Sequence, residues 1–394
     1  MIVRFGDCEL DIEGRELRRS RSPVHVEPQV FDLLAYLIAH RERPVGKDEI
    51  VKEVWRGRIV SDATLSSRIN AVRQAVGDTG KTQTYIRTLP RRGFRFVGEL
   101  IQDSSATAIK RPAVPSQQVT FCRTPDGVNL AVAISGKGLP VVKTGTWLTN
   151  VERDWQSPLW SPLFSRLSSE FQLVRYDPRG CGLSDWDVPQ ISFDGFVSDL
   201  ETVVDSLGLE RFALLGISQG AAVSIAYAAR HPERVSRLAL SGGFALGWRK
   251  RGSAEEIDTR EAIFTLIKHG WGQDNPAFRQ VYNLRMWPAA TPDQMVAFDE
   301  LQRMSTSPDN AIGILRAIGD LDITALLPQL SAPTLVLHSR GDVAHPIEFG
   351  LMLARGIPRA RFVEIDSRNH IPLSHETAWG RYVDELCTFL NGDR

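Results

Sequence analysis

Three stretches of this 394-residue chain could do chemistry together: Gly216-Ile217-Ser218-Gln219-Gly220, Arg340-Gly341-Asp342 and Asn369-His370-Ile371-Pro372. The first has the Gly-x-Ser-x-Gly spacing of a nucleophile elbow, where a serine sits at a sharp turn from strand to helix. Side chains two positions to either side of such a serine would collide, and glycine at both places removes the collision. The helix start behind the serine would supply backbone N–H groups and a positive dipole end where an oxyanion develops. Asp342 follows the apolar run Thr334 to Leu337, and His370 follows Phe362 to Ile365, so both fall on loops after strands. In the order nucleophile, acid, histidine, His370 would take the proton of Ser218 and Asp342 would orient the ring. His338, His345 and His375 read as structural or exposed.

The elements that must position these residues show as alternating patterns. Apolar runs at Val119 to Cys122, Leu130 to Ile134, Val141-Val142, Leu173 to Tyr176, Phe212 to Leu215, Val235 to Leu240, Thr334 to Leu337 and Arg361 to Ile365 alternate with helical stretches. That alternation predicts a mostly parallel sheet covered on both faces. The elbow, Tyr176-Asp177-Pro178-Arg179-Gly180-Cys181-Gly182-Leu183-Ser184-Asp185 and His231-Pro232-Glu233-Arg234-Val235 together resemble the α/β-hydrolase superfamily, over essentially all of 119–394. The resemblance implies the triad Ser218, Asp342 and His370, with one oxyanion donor at the backbone N–H of Gln219. The second donor normally follows a His-Gly pair, but this chain has Lys143-Thr144-Gly145-Thr146-Trp147; the glycine is kept and the histidine is not. Thr146 or Trp147 would then supply it. About ninety residues of helical character before Thr334 resemble the small helical cap of the superfamily, at about 244–330. Trp147, Trp155, Trp248, Met286 and Trp287 are expected to line an apolar ligand pocket.

The first hundred residues have another character. Short strands at Ile2 to Phe5, Glu9 to Ile12, Glu16 to Arg19 and Val24 to Val26 precede a helix with the buried stripe Val30, Leu33, Leu34, Leu37 and Ile38. A second helix is expected over Lys47 to Trp55 and a third over Asp62 to Val76, entered at Ser61-Asp62. The strands Tyr85 to Arg87 and Phe94 to Val97 flank Pro90-Arg91-Arg92-Gly93. Glu27-Pro28-Gln29-Val30-Phe31-Asp32-Leu33-Leu34, Lys47-Asp48-Glu49-Ile50, Val54-Trp55, Ile69-x-x-Val72-Arg73 and Tyr85 through Phe96 resemble the winged helix-turn-helix of OmpR/PhoB-type (CadC-like) regulators. The resemblance implies a recognition helix in the major groove and a wing in the neighbouring minor groove. Thr64, Ser67, Asn70, Ala71 and Gln74 would face bases, and Arg68, Arg73, Arg87, Arg91, Arg92 and Arg95 would meet phosphates or a groove.

Composition agrees with two folded units. Lys+Arg and Asp+Glu balance at 47 each, yet residues 1–100 hold 18 basic against 14 acidic side chains, a modest bias toward a polyanion partner. Cys8, Cys122, Cys181 and Cys387 are scattered without C-x-x-C pairing, which argues against a cysteine metal cluster or disulfide framework and suits a reducing compartment. Apolar runs such as Phe31 to Ala39 fall short of the ~20 residues that span a membrane. A cytoplasmic protein without metal or cofactor is expected.

The expected fold class is α/β: an N-terminal winged helix-turn-helix (1–100), a Ser/Ala/Pro/Gln-rich linker (101–118) and a doubly wound, mostly parallel α/β-hydrolase sheet with a small helical cap (119–394). The function that follows is a one-component transcriptional regulator that senses a small apolar, acyl or ester-type ligand. Its expected partners are double-stranded operator DNA, that ligand and a second copy in a homodimer, with RNA polymerase a further candidate. The alternative is an active esterase- or lactonase-like serine hydrolase carrying a DNA-binding module. The complete triad favours turnover and the altered oxyanion strand opposes it, so both readings stay open.

Overall fold

The computed structural model describes residues 2–392 except 13, 21, 25, 42, 56–61, 90, 91, 99, 101–115, 272 and 274–276. Arg91 and most of the expected linker therefore lie outside the described residues. Two compact units divide the chain, at 1–110 and 111–394.

In the first unit, β1 (Ile2–Phe5), β2 (Cys8–Asp11), β3 (Glu16–Arg19) and β4 (Ser22–Val24) form an antiparallel sheet in chain order. Three helices follow: α1 (Pro28–Ala39), α2 (Lys47–Val54) and α3 (Asp62–Ala75). Pro28 opens α1, where a missing N–H costs nothing. The stripe Val30, Leu33, Leu34, Leu37 and Ile38 is buried in one cluster with Leu65, Ile69 and Val72 of α3. The wing is the hairpin β5 (Ile86–Leu89) and β6 (Gly93–Phe96). Phe94 exchanges both backbone hydrogen bonds with Val45, at 2.8 and 2.9 Å, which fixes the wing against the turn before α2. Gly93 has φ +106°, and a Cβ there would lie 1.9 Å from the Val45 carbonyl oxygen, so only glycine fits.

In the second unit eight strands run β7 (Gln118–Arg123), β8 (Asn129–Ser135), β9 (Pro140–Lys143), β10 (Gln172–Tyr176), β11 (Phe212–Ile217), β12 (Val235–Ser241), β13 (Thr334–Ser339) and β14 (Arg361–Ile365). Their order across the sheet is β14-β13-β12-β11-β9-β10-β8-β7. Pairs involving β8 are antiparallel and the others parallel. Helices α4 (Val151–Gln156), α5 (Ser161–Ser168), α6 (Phe193–Ser206) and α7 (Gln219–Arg230) alternate with the strands. All six residues of β11 are buried, because both faces of the sheet are covered. Side chains alternate across the strand. Phe212 and Leu214 pack with Leu200, Val203 and Ile225 of α6 and α7, while Ala213, Leu215 and Ile217 pack with Phe164 and Leu167 of α5.

The expected cap appears between β12 and β13 as α8 (Trp248–Arg251), α9 (Ala254–Gly270), α10 (Ala277–Met286), α11 (Pro292–Ser305) and α12 (Pro308–Ala317). Capping boxes open two of these helices, Ser253 with Glu256 and Thr291 with Gln294. The helices α13 (Ile347–Gly356) and α14 (Ala378–Asn391) complete the unit. The carboxyl ends of the neighbouring strands β9, β11, β12, β13 and β14 bring Thr144, Ser218, Gly242, Asp342 and His370 to one edge of the sheet, where ligands of open α/β sheets bind.

Candidate active site and nucleic-acid interface

Ser218 joins β11 to α7 with φ 55° and ψ −125°, a conformation that costs of order 1–3 kcal/mol for a residue other than glycine. The surroundings enforce it. Ser218 N–H donates to the Ser241 carbonyl at 2.9 Å, and the Ser218 carbonyl accepts from Ala221 N–H at 3.0 Å. A Cβ on Gly216 would lie 2.6 Å from the Cα of Ala221, and one on Gly220 would lie 2.6 Å from Thr144 Oγ1. The glycines are thus needed at the places the elbow spacing requires. The first N–H groups of α7, starting at Gln219, have no acceptor within the helix.

Asp342 and His370 meet from separate loops. Asp342 Oδ2 accepts from His370 Nδ1 at 2.6 Å, while its Oδ1 accepts the backbone N–H groups of Ala344 at 2.8 Å and His345 at 3.0 Å. Burial pushes the Asp342 carboxyl up, but His370, the backbone N–H of His345 and His338 together hold it below the usual carboxylate range. His370 Nε2 is buried and has no hydrogen-bond partner. The ring packs on Gly242, where a Cβ would come within 2.5 Å of it.

The sequence reading missed His345. Its Nε2 lies 3.3 Å from Ser218 Oγ, and its ring stands edge-on to His370 with centroids 5.0 Å apart. Its Nδ1 faces Arg251 Nη2 at 3.3 Å. Burial, then the neighbouring His370, Arg251, Arg260 and His338, hold its pKa well below the ordinary histidine value. His338 does have the structural place expected of it: it is buried, with Nε2 2.7 Å from the His345 carbonyl. His375 is exposed. No sequence signal marks His345, since only the turn after Asp342 swings it toward the serine.

The altered oxyanion strand carries buried charge. Lys143 ends β9 with its ammonium donating to the Thr144 carbonyl at 3.2 Å and lying 5.6 Å from the Trp160 ring centroid. Burial is the main cause that holds its pKa down to about 8, with Arg175 adding and Asp154 and Asp177 opposing. Thr144 Oγ1 reaches the Gly220 carbonyl at 2.9 Å, tying this strand end to α7. Thr146 and Trp147 are buried beside that tie.

The five residues expected in one apolar pocket do not converge. Trp147 and Trp248 belong to one hydrophobic cluster, and Met286 and Trp287, with Trp155 packed against them, to another. The Trp248 indole N–H donates to Leu315 O at 2.9 Å and that of Trp287 to Ile371 O at 3.2 Å, so these two serve as core anchors. Trp155 lies against the Arg175 guanidinium, 5.2 Å from ring centroid to carbon. Trp147 instead faces the cap, with its ring 5.0 Å from Tyr282 and 6.4 Å from Trp271. Met286 matters through its backbone. Its carbonyl accepts His370 N–H at 2.7 Å, and nearby Ala289 N–H donates to Asn369 Oδ1 at 2.9 Å, so the cap holds the histidine loop.

On the first unit, Thr64, Ser67, Asn70 and Gln74 are exposed on α3, and Arg87 and Arg92 are exposed on the wing. Four expected DNA contacts are placed otherwise. Arg73 is 6% exposed, and its guanidinium donates to the Ile86 carbonyl (2.9 Å) and Thr88 Oγ1 (2.7 Å); it pins the wing to α3 and is withdrawn as a DNA contact. Ala71 packs against the core, because its place on the helix turns it halfway inward. Arg68 is half-buried in an ion pair with Glu27, and Arg95 Nε donates to the Arg41 carbonyl at 2.8 Å. Asp78 buttresses the wing by accepting the backbone N–H groups of Thr84, Tyr85 and Ile86.

Comparison with known proteins agrees with this division. Residues 21–96 match the family described as transcriptional regulatory protein, C terminal, and residues 155–291 match the α/β hydrolase fold. The AB hydrolase superfamily protein YisY of Bacillus subtilis is 26% identical over 256 residues, 64% of this chain and 91% of that protein. A pimeloyl-acyl-carrier-protein methyl ester esterase of Legionella pneumophila is 25% identical over 264 residues, 66% of this chain and 99% of that protein. Among solved structures, an esterase from Exiguobacterium antarcticum superposes with a TM-score of 0.59 at 24% identity, covering 70% of this chain and all of that one. An enol-lactonase from Burkholderia xenovorans gives 0.57 at 23%, covering 69% and all of that chain. The chain therefore joins a DNA-binding domain of the transcriptional regulatory protein, C-terminal family to a domain of the α/β-hydrolase fold.

Proposed function

We propose that the protein is a one-component transcriptional regulator whose α/β-hydrolase domain binds a small acyl- or ester-type ligand at Ser218 and thereby alters DNA affinity. The observation that supports this reading is the presence, in one chain, of a DNA-binding domain, a serine held at a strained strand-to-helix turn and an Asp342–His370 hydrogen bond. Regulation requires the ligand to favour one arrangement of the chain over another, because equal affinity for both shifts nothing. Binding as a homodimer to two half-sites, in the manner of helix-turn-helix dimers, belongs to the same proposal.

A second reading has its own observation. The Asp342–His370 hydrogen bond at 2.6 Å and the enforced strain at Ser218 suit acyl transfer. His370 would take the proton of Ser218 as Oγ attacks the ester carbonyl, Asp342 would stabilise the imidazolium, and the Gln219 N–H would face the oxyanion. Slow hydrolysis would then reset the sensor.

The two are separated by recovering DNA fragments on the full-length chain and titrating a recovered site with and without a panel of short-chain esters. The regulator reading expects an ester that shifts DNA affinity. Hydrolysis of the panel with no shift for any member would leave a hydrolase that merely carries the module.

A further inference from the structure

The cap sets Arg251 against His345 of the Ser218 site and brings the charges of Arg260 and Arg285 to bear on it, with no carboxylate in salt-bridge contact among the described residues. Arg251 ends α8, with Nη2 3.3 Å from His345 Nδ1, and His345 in turn contacts Ser218. Its Nη1 donates to the Leu246 carbonyl at 3.0 Å, and its guanidinium lies 4.5 and 4.2 Å from the ring centroids of Phe244 and Phe349. Arg285 precedes Met286, whose carbonyl holds the His370 backbone. It also stands one helical turn beyond Tyr282, whose ring lies tilted against Trp147, and its charge bears on Arg251, Arg260 and Tyr282. Arg260 projects from α9, and its charge bears on Arg251, Tyr282 and His345.

Among the described residues, none of the three makes a salt bridge with a carboxylate, and Arg260 and Arg285 make no hydrogen bond. Neighbouring Arg249 is the contrast, since it pairs with both Glu261 (2.7 Å) and Asp320 (2.9 Å). Glu256 is exposed and accepts the Ser253 N–H in the capping box; its charge reaches Arg251 and Arg260 without a salt bridge to either. Burial, and then repulsion from one another and from Arg285, lower the pKa values of Arg251 and Arg260 against the opposing pull of Glu256 on both and of Asp342 on Arg251. Close by, the Trp147 indole N–H is buried in a residue 5% exposed and has no acceptor. Unpaired positive charge and an unpaired donor under a cap are costly unless something anionic answers them.

We propose that the ligand is an acyl compound with an anionic tail, carboxylate or phosphate, whose tail is held by Arg251, Arg260 and Arg285 with the Trp147 N–H as a further donor. This rests on the reading that the Ser218 site takes an acyl ligand, and it replaces the apolar ligand expected from the tryptophans with an amphipathic one. Guanidinium forks suit either anion.

The test is calorimetric titration of the full-length chain in a Ser218→Ala background, which removes turnover. The probes are monomethyl esters of the straight-chain dicarboxylic acids from succinate to suberate, methyl esters of ω-phosphoalkanoic acids of matching length, and the neutral dimethyl diesters. At least one anionic series should bind about ten- to a hundredfold more tightly than its neutral counterpart. That preference should shrink with added salt and in the Arg260→Gln, Arg285→Gln double variant; the series with the larger preference identifies the tail. Equal or tighter binding of the neutral diesters, or a preference indifferent to salt and to both substitutions, would overturn the proposal and leave the acyl-ligand reading standing. Binding of no probe by a chain that melts normally would overturn both.

Discussion

Ser218 and His345 are joined by a 3.3 Å contact between Oγ and Nε2, and the chemistry of its neighbours sets its direction. Arg251 can only donate, so His345 Nδ1 is the acceptor of that pair. With its pKa well below the ordinary value, His345 is neutral, carries its proton on Nε2 and donates it to the serine oxygen. His370 Nε2 has no hydrogen-bond partner and its Nδ1 is backed by Asp342, so in the proposed acyl transfer His370 is the group free to take the hydroxyl proton of Ser218.

The two histidines should therefore fail differently. His370→Ala should slow fluorophosphonate labelling of Ser218 by about 10³-fold or more. His345→Gln, which keeps an N–H donor, should slow it by less than about tenfold. Equal losses would mean that His345 is the working base.

Stability should depend on pH through the same cluster. His338 and His345 both have depressed pKa values, burial being the first cause in each. The unfolded chain then binds more protons below the ordinary value of 6.5, so stability is complete above it and declines as pH falls, by at most about 1.4 kcal/mol per histidine per pH unit. Asp342 is also depressed, so its contribution persists through this window and is lost only below 3.8. Thermal melting between about pH 7.5 and about pH 5.5 should show a smaller loss for His345→Gln than for the unaltered chain. Parallel curves would contradict the assignment.

Gly216→Ala should destabilise the second unit by about 1–3 kcal/mol, because the added Cβ meets backbone of Ala221 at 2.6 Å. A lower Tm together with loss of labelling at Ser218 is expected. A normal Tm would show that the elbow relaxes more easily than its packing implies.

Arginines of the first unit should separate by burial. Arg73→Ala should lower the Tm of the unit by removing hydrogen bonds worth about 1.5–3 kcal/mol, since its guanidinium is spent on Ile86 and Thr88. Arg87→Ala and Arg92→Ala should leave Tm unchanged, weaken binding across DNA sequences, and each reduce the salt slope by about 1. Asn70→Ala or Gln74→Ala should instead relax preference at one base pair by about 1–3 kcal/mol. Binding curves at several salt concentrations distinguish these outcomes.

Much of this was legible in the sequence where chemistry and periodicity act locally. The eight strands and the helical stripe of α1 follow from apolar patterning, and the elbow follows from two glycines whose necessity is now measurable in ångströms. What stayed hidden depends on which way a side chain turns after a loop. Arg73 is a charged residue on a DNA-facing helix yet faces inward, and His345 reaches Ser218 because the Asp342 turn is wound by two backbone hydrogen bonds. The tryptophans misled for a related reason. An indole N–H that finds a carbonyl, as in Trp248 and Trp287, anchors its ring in the core, whereas the buried indole N–H of Trp147 has no acceptor.

The central claim is that the state of the Ser218 site governs the DNA-binding domain. Its most direct test compares DNA affinity, at fixed salt, of the full-length chain before and after fluorophosphonate modification of Ser218, with Ser218→Ala exposed to the same reagent as control. The account predicts a change of about fivefold or more in Kd for the modified chain alone, the lower end of ordinary allosteric coupling. Identical affinities for fully modified and unmodified protein would contradict it.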